Sequence, residues 1–154
     1  MRRLQSKETQ LVIRVPMLPP NPNKSSRNWY VNHKTEQEYA DSVHFYAVNA
    51  RNIWEHHGHY WTTLPKATIT VSFEIPHSRK GPLPDYGNLL MRMKKAVDRL
   101  TARPSGVGVY ARIGTGLIAD DSPKCLTWVM PSEGQQVIRG EEDATIIEIA
   151  EILR

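Results

Sequence analysis

The sequence predicts an α+β domain, a two-layer arrangement in which a mixed sheet of about four strands carries two main helices, a common way to bury one face of each. Three observations predict it. Apolar residues recur at spacings of three and four from Thr35 to Trp54 and again from Asn88 to Leu100, the period of amphipathic helices. From Lys66 to Pro76 they alternate with polar residues, and a β-rich run closes the chain from Ala144 to Ile152. The chain has 154 residues, 40% of them hydrophobic, which suits one ordinary core, so residues 1–154 are read as a single domain.

The first element is the run Leu11-Val12-Ile13-Arg14-Val15, a strand stopped by Pro16, Pro19, Pro20 and Pro22. A long loop is expected from Asn21 to Lys34. It holds Lys24, Arg27 and Lys34 beside Trp29 and Tyr30, a mixture that can pair with phosphates and stack on bases. Composition alone favours a plainer reading, in which the aromatics cover the core. Thr35 and Glu38 then have the spacing of a capping box. Behind them Tyr39, Val43, Tyr46, Ala47, Ala50, Ile53 and Trp54 mark a helix that ends near His57-Gly58, where glycine permits the closing turn.

Ile69, Val71, Phe73 and Ile75 alternate with Thr68, Thr70, Ser72 and Glu74 in the second strand. The basic, proline-rich loop from His77 to Pro84 leads to Asp85. Leu89, Leu90, Met93, Ala96, Val97 and Leu100 then give one face of a second helix, and Arg92, Lys95 and Arg99 another. The glycine-rich stretch 103–116 reads as a loop or hairpin excursion, and Lys124 to Met130 and Ala144 to Ile152 as the remaining strands.

Composition excludes a disordered or fibrous chain. No apolar run approaches the roughly 20 residues that a bilayer requires, and Met1-Arg2-Arg3 runs into polar residues rather than an apolar signal segment. A soluble, cytoplasmic protein with no membrane partner is expected. The single cysteine, Cys125, can form neither an internal disulfide nor a cysteine zinc site. Twenty Lys and Arg against sixteen Asp and Glu leave a charge of +4, which makes a polyanionic partner plausible without establishing one. His56, His57 and His59 suggest a transition-metal site, but such a cluster at a helix end is ordinarily surface. Trp54, Trp61 and Trp128 are read as core or interface residues.

The most informative local feature is a set of aspartates at element boundaries: Asp85 before the second helix, and Asp120-Asp121 before Ser122-Pro123. Carboxylates at element ends can converge, and hard oxygen ligands are what Mg²⁺ or Mn²⁺ requires. Each also has an ordinary reading. Asp85 can cap the helix, and Asp120-Asp121-Ser122-Pro123 can be a turn.

Together and in this order, these pieces resemble the RusA family of Holliday-junction resolvases, and the resemblance spans most of the chain. The opening strand followed by Leu18-Pro19-Pro20-Asn21 is similar to the family's start. Pro84-Asp85-Tyr86-Gly87-Asn88-Leu89-Leu90 resembles its Asp-x-Asp-Asn-Leu motif. Lys94, Ala96, Val97, Asp98 and Leu100 are similar to the Lys-x-x-x-Asp-x-Leu continuation, and Gly116 to Pro123 to its Asp-Asp turn. The resemblance implies a small, dimeric, magnesium-dependent endonuclease of phage or bacterial origin that resolves four-way junctions and other branched DNA in recombination and repair. It also implies roles. Asp85 and Asp121, with Asp120, would hold Mg²⁺ or Mn²⁺. Lys94 or Lys95 would neutralise phosphate charge, and Arg27, Lys34, Arg79, Lys80 and Arg92 would bind the DNA backbone.

Three departures qualify this expectation. Gly87 stands where the family has its second motif aspartate. Met91 stands at the family's lysine position. Three residues further on, in an α-helix of 3.6 residues per turn, Lys94 comes about 60° off that face, and Lys95 is expected nearer to it. The stretch 103–116 is longer than the family's link and reads as an inserted loop. An alternative therefore stands beside the nuclease: a degenerate relative that binds branched DNA without cutting it. A third reading, an unrelated basic domain that binds protein or RNA, requires the placement of the aspartates to be accidental. Glu74 is the one carboxylate on the preceding strand that could replace the missing ligand, although an exposed strand glutamate is usually a solvated face.

Overall fold

The computed structural model describes residues 10–21, 29–58, 60–102 and 114–153. In them an α+β fold forms, with helices on one face of a mixed five-stranded sheet. The elements are β1 (Gln10–Val15), α1 (Trp29–His56), β2 (Ala67–Pro76), α2 (Tyr86–Leu90), a 3₁₀ turn (Met91–Met93), α3 (Lys94–Asp98), β3 (Leu126–Trp128), α4 (Glu133–Gln136), β4 (Val137–Gly140) and β5 (Ala144–Glu151). Among the described residues no helix is long and apolar enough to cross a membrane.

β2 is the centre of the sheet. Along one edge β5 runs antiparallel to it from Ala67 to Glu74, and β1 pairs antiparallel with β5 beyond. The other edge of β2 is shared by two short parallel strands, β3 against Ala67 to Ile69 and β4 against Phe73 to Pro76. Thr70 to Ser72 lie between them, so the parallel ladder is interrupted there. Tyr86 fills the interruption by donating its hydroxyl to the carbonyl of Val71 at 2.6 Å. Burial raises its phenol pKa and keeps it a neutral donor.

The period of two sorts the strands cleanly. Leu11, Ile13, Val15, Ile69, Val71, Phe73, Ile147 and Ile149 are buried under the helices. α1 packs on β1 and α3 and places Tyr39, Val43 and Ala47 in the same core. Removing one such aliphatic side chain to alanine costs about 2–5 kcal/mol. Tyr39 lies at the centre. Its hydroxyl is 2.8 Å from Thr145 Oγ1, whose own proton goes to the carbonyl of Met17, and 3.3 Å from Met93 Sδ. Burial pushes this phenol well above its ordinary range.

Four expectations change. The stretch expected as loop to Lys34 is helical from Trp29, so the Thr35 and Glu38 pair lies inside α1. No glycine or proline interrupts residues 29–57, and helix propagation is then unopposed. The second helix is not continuous but breaks at the 3₁₀ turn between α2 and α3. The third strand shrinks to Leu126–Trp128 because the amides of Cys125 and Leu126 both close a turn on the Ser122 carbonyl. β4 is an additional strand, too short to show alternation. Of the expected inserted loop, 103–113 lie outside the described residues.

Candidate functional site

Asp85 is held by local chemistry. Its Oδ1 accepts the Asn88 amide at 3.0 Å as the N-cap of α2, and Tyr86 fastens the next residue to β2. The ordinary reading of Asp85 as a cap is therefore correct, and it fixes a carboxylate in the lining of a cavity.

Asp120 and Asp121 reach the same region by a different route. Thr115, Gly116 and Ile118 donate their amides to the carbonyls of Arg99, Thr101 and Leu100, and Leu64 exchanges bonds with Leu117 and Ala119 on the other side. The approach is close: a Cβ on Gly114 would fall 1.9 Å from the Thr101 carbonyl oxygen, so glycine is required there. This ladder delivers Asp120-Asp121 beside the end of α3. Asp120 Oδ1 accepts the Asp121 amide at 2.9 Å.

Asp85, Asp121 and Lys94 line one cavity of about 610 Å³, together with Gly87 and Asn88 on the polar side and Leu90, Met91, Met93, Val97 and Trp128 on the apolar side. The structure thus brings together three of the residues singled out in the sequence. Asp98, named there only as part of the helix motif, hydrogen-bonds with Asp121 but does not itself line the cavity. Its carboxyl pKa is pushed up to about 6, first by burial, then by a hydrogen bond with Asp121 and by the charges of Asp121 and Asp120, against an opposing pull from Lys94. The signal that could have found it is a lone acid on a helix between Val97 and Leu100, where burial of an unpaired carboxylate is costly.

Lys94, and not Lys95, shares the cavity, a correction with a geometric cause. Met91–Met93 is a 3₁₀ turn, and at three residues per turn, not 3.6, a step of three residues returns to the starting face. Lys94 accordingly lines the same cavity as Met91. Lys95 points to α1, with Nζ 2.5 Å from a Glu36 carboxylate oxygen and 3.1 Å from His33 Nδ1.

The basic residues are dispersed. Lys34 and Lys80 are exposed. Arg79 is exposed but pairs with Asp143 at 2.7 Å. Arg92 lines a second cavity of about 230 Å³, whose wall includes Met91, Lys94 and Lys95. Arg27 lies outside the described residues. Glu74 does not join the site. It faces away from the core, its Oε2 is 2.7 Å from Arg14 Nη2 and accepts the Glu142 amide, and the Arg14 contact holds its pKa below the usual carboxylate value. Trp54 and Trp61 meet edge to face and pack against the core, whereas Trp128 is 42% exposed and so is not a core residue, which leaves the interface half of its reading. His56 and His57 are exposed at the end of α1, and His59 lies outside the described residues.

Gly87 lines the cavity, and a Cβ placed there would sit 3.2 Å from Asp85 Oδ1. The position that lacks the motif aspartate therefore faces the site. Among the described residues no group of three or more His, Cys, Asp and Glu side chains is already gathered as a metal-holding set. The chemistry of the donors still suits a hard cation: all are carboxylate oxygens, and the Asp98 and Asp121 pair, crowded by Asp120, is relieved by either a proton or a divalent ion.

The chain matches no known protein-family model, no curated protein and no solved structure.

Proposed function

We propose that the protein is a Mg²⁺-dependent, structure-specific DNA endonuclease that resolves Holliday junctions or other branched DNA, acting as a homodimer. The observation that carries this reading is the convergence of Asp85, Asp121 and Lys94 on one cavity from separate parts of the chain. Asp121, with Asp98 and Asp120 beside it, and Asp85 in the lining of the same cavity are the residues to hold Mg²⁺ or Mn²⁺. When bound, the ion supplies charge stabilisation at a phosphate and a more acidic water. Lys94 places a cation for a non-bridging phosphate oxygen. Asp85 is positioned by its cap, and burial beside Asp121 raises the Asp98 pKa to about 6. Lys34, Lys80, Arg79 and Arg92 supply backbone contacts, which dominate affinity without reading sequence. A four-way junction is two-fold symmetric, and a two-fold dimer sets one site on each of two strands.

Gly87 favours a second reading, a relative that binds branched DNA without cleaving it, because the cavity then lacks one carboxylate. Incubation with a synthetic four-way junction in Mg²⁺, Mn²⁺ and Ca²⁺ separates the two. Paired symmetric nicks in Mg²⁺ or Mn²⁺ are expected. Tight binding with no nicking in either metal sinks the nuclease and leaves the binder.

A further inference from the structure

The cavity that holds the carboxylates is mostly apolar, and phosphate chemistry does not account for that. Trp128 stands on the same side of β3 as the buried Leu126, yet 42% of it is exposed. Met91, 82% exposed, occupies the wall shared with the neighbouring cavity. Packing explains neither: an indole and a thioether left open beside Asp85, Asp121 and Lys94 gain nothing from the core. A volume of about 610 Å³ falls within the range of cavities that enclose a small ligand. The ligand that matches must be planar and apolar at one end, and at the other carry an anion that accepts Lys94. A nucleotide has that chemistry: indole and thioether offer a surface for a base face, and the ammonium a partner for its phosphate.

We infer that this cavity captures an unstacked nucleobase of the bound strand, with Trp128 as the stacking surface and Met91 as its flank, so that the phosphate next to that base lies at the carboxylates. The inference rests on the proposed DNA reading and narrows its substrate class to DNA whose bases can leave the stack, such as branch points and single-stranded segments. Unpaired bases cost least to extrude, which makes base capture a source of structure selectivity in its own right.

The test uses the full-length protein in Ca²⁺, with fluorescence anisotropy on a four-way junction and on a single-stranded oligonucleotide, and with 2-aminopurine placed at the branch point. Trp128→Ala is expected to weaken binding to both about tenfold with the salt slope unchanged, since stacking releases no counterions. Trp128→Phe retains most of the affinity. Trp128→Leu, which preserves apolar volume if the alanine variant folds poorly, behaves as alanine does. The 2-aminopurine emission changes on binding of the wild type and not of Trp128→Leu. Wild-type affinity and an unchanged 2-aminopurine response in a folded Trp128→Leu overturn the inference, as does competition by a free mononucleotide at the oligonucleotide's own concentration. Failure of nicking in Mg²⁺ with the tryptophan effects intact removes only the nuclease. A wild type that binds neither DNA removes both.

Discussion

Two groups of carboxylates on this molecule are built in opposite ways. On the back of the sheet Glu74 meets Arg14, accepts a backbone amide from Glu142, and is so closely fitted that a Cβ on Gly140 would fall 2.3 Å from its Cδ. Its charge is compensated and its pKa falls. Beside the cavity Asp98 hydrogen-bonds with Asp121 and feels the charges of Asp121 and Asp120, Lys94 opposes them, and the pKa of Asp98 rises. An acid whose neighbours satisfy it contributes to the fold. Acids whose neighbours repel them draw on stability gained elsewhere, and such arrangements concentrate at functional sites.

Nicking should divide the groups most sharply. Asp121→Asn is expected to lower the cleavage rate about a thousandfold, in line with loss of a charge-stabilising group, with junction affinity in Ca²⁺ near normal. Glu74→Gln should cut at the wild-type rate. If Asp121→Asn also cuts at that rate, the cavity is not the catalytic site. Next in size is the lysine pair: Lys94→Ala should lose about a hundredfold in cleavage, while Lys95→Ala, whose partners are Glu36 and His33, loses nothing. Equal effects in a nicking assay would mean that the 3₁₀ turn does not set the facing.

Gly87→Asp adds a carboxylate toward Asp85. It should raise the nicking rate about tenfold and enlarge the Tm increase on adding Mg²⁺, measured by thermal melts with and without EDTA. A Tm unaffected by Mg²⁺ would remove the cation from the account.

The smallest effects concern pH. Asp98 has a folded pKa near 6 against an ordinary 3.8, so between those values the native state holds more protons than the unfolded chain, and stability declines as pH rises through the window. In EDTA at pH 8, Asp98→Asn should melt about 2–4 °C above wild type, the scale of ~1 kcal/mol in a chain of this size. Glu74 has the opposite sign. Its depressed pKa stabilises above its ordinary 4.5 and is lost as pH falls, so Glu74→Gln should melt about 2 °C or less below wild type at pH 8, as an isolated ion pair allows.

The sheet was largely legible in the sequence because β1 and β2 keep a strict inward and outward alternation, and β5 keeps it from Thr145 to Ile149. β4 was not, since four residues cannot display a period. The start of α1 was masked by a capping pair that the fold runs through. The aspartates at element ends were readable from their positions. Asp98 was signalled only by its place between Val97 and Leu100, and its partners were not, because the Thr115 to Ala119 ladder that lays them beside it joins distant parts of the chain. Which of the two candidate lysines lines the cavity was hidden for a local reason. Met-Arg-Met contains neither glycine nor proline to announce a tightened turn, and one residue of winding exchanges Lys94 for Lys95.

The Tyr86 hydroxyl occupies the place in the β2 ladder where a neighbouring strand's amide would otherwise bond. The Asp85 carboxylate in the cavity lining is thus one residue away from a bond to the central strand of the sheet. Opening of α2 strips the Val71 carbonyl of its partner, and opening of the strand releases α2. A local opening of α2 therefore has to break a bond to the central strand as well as its own cap.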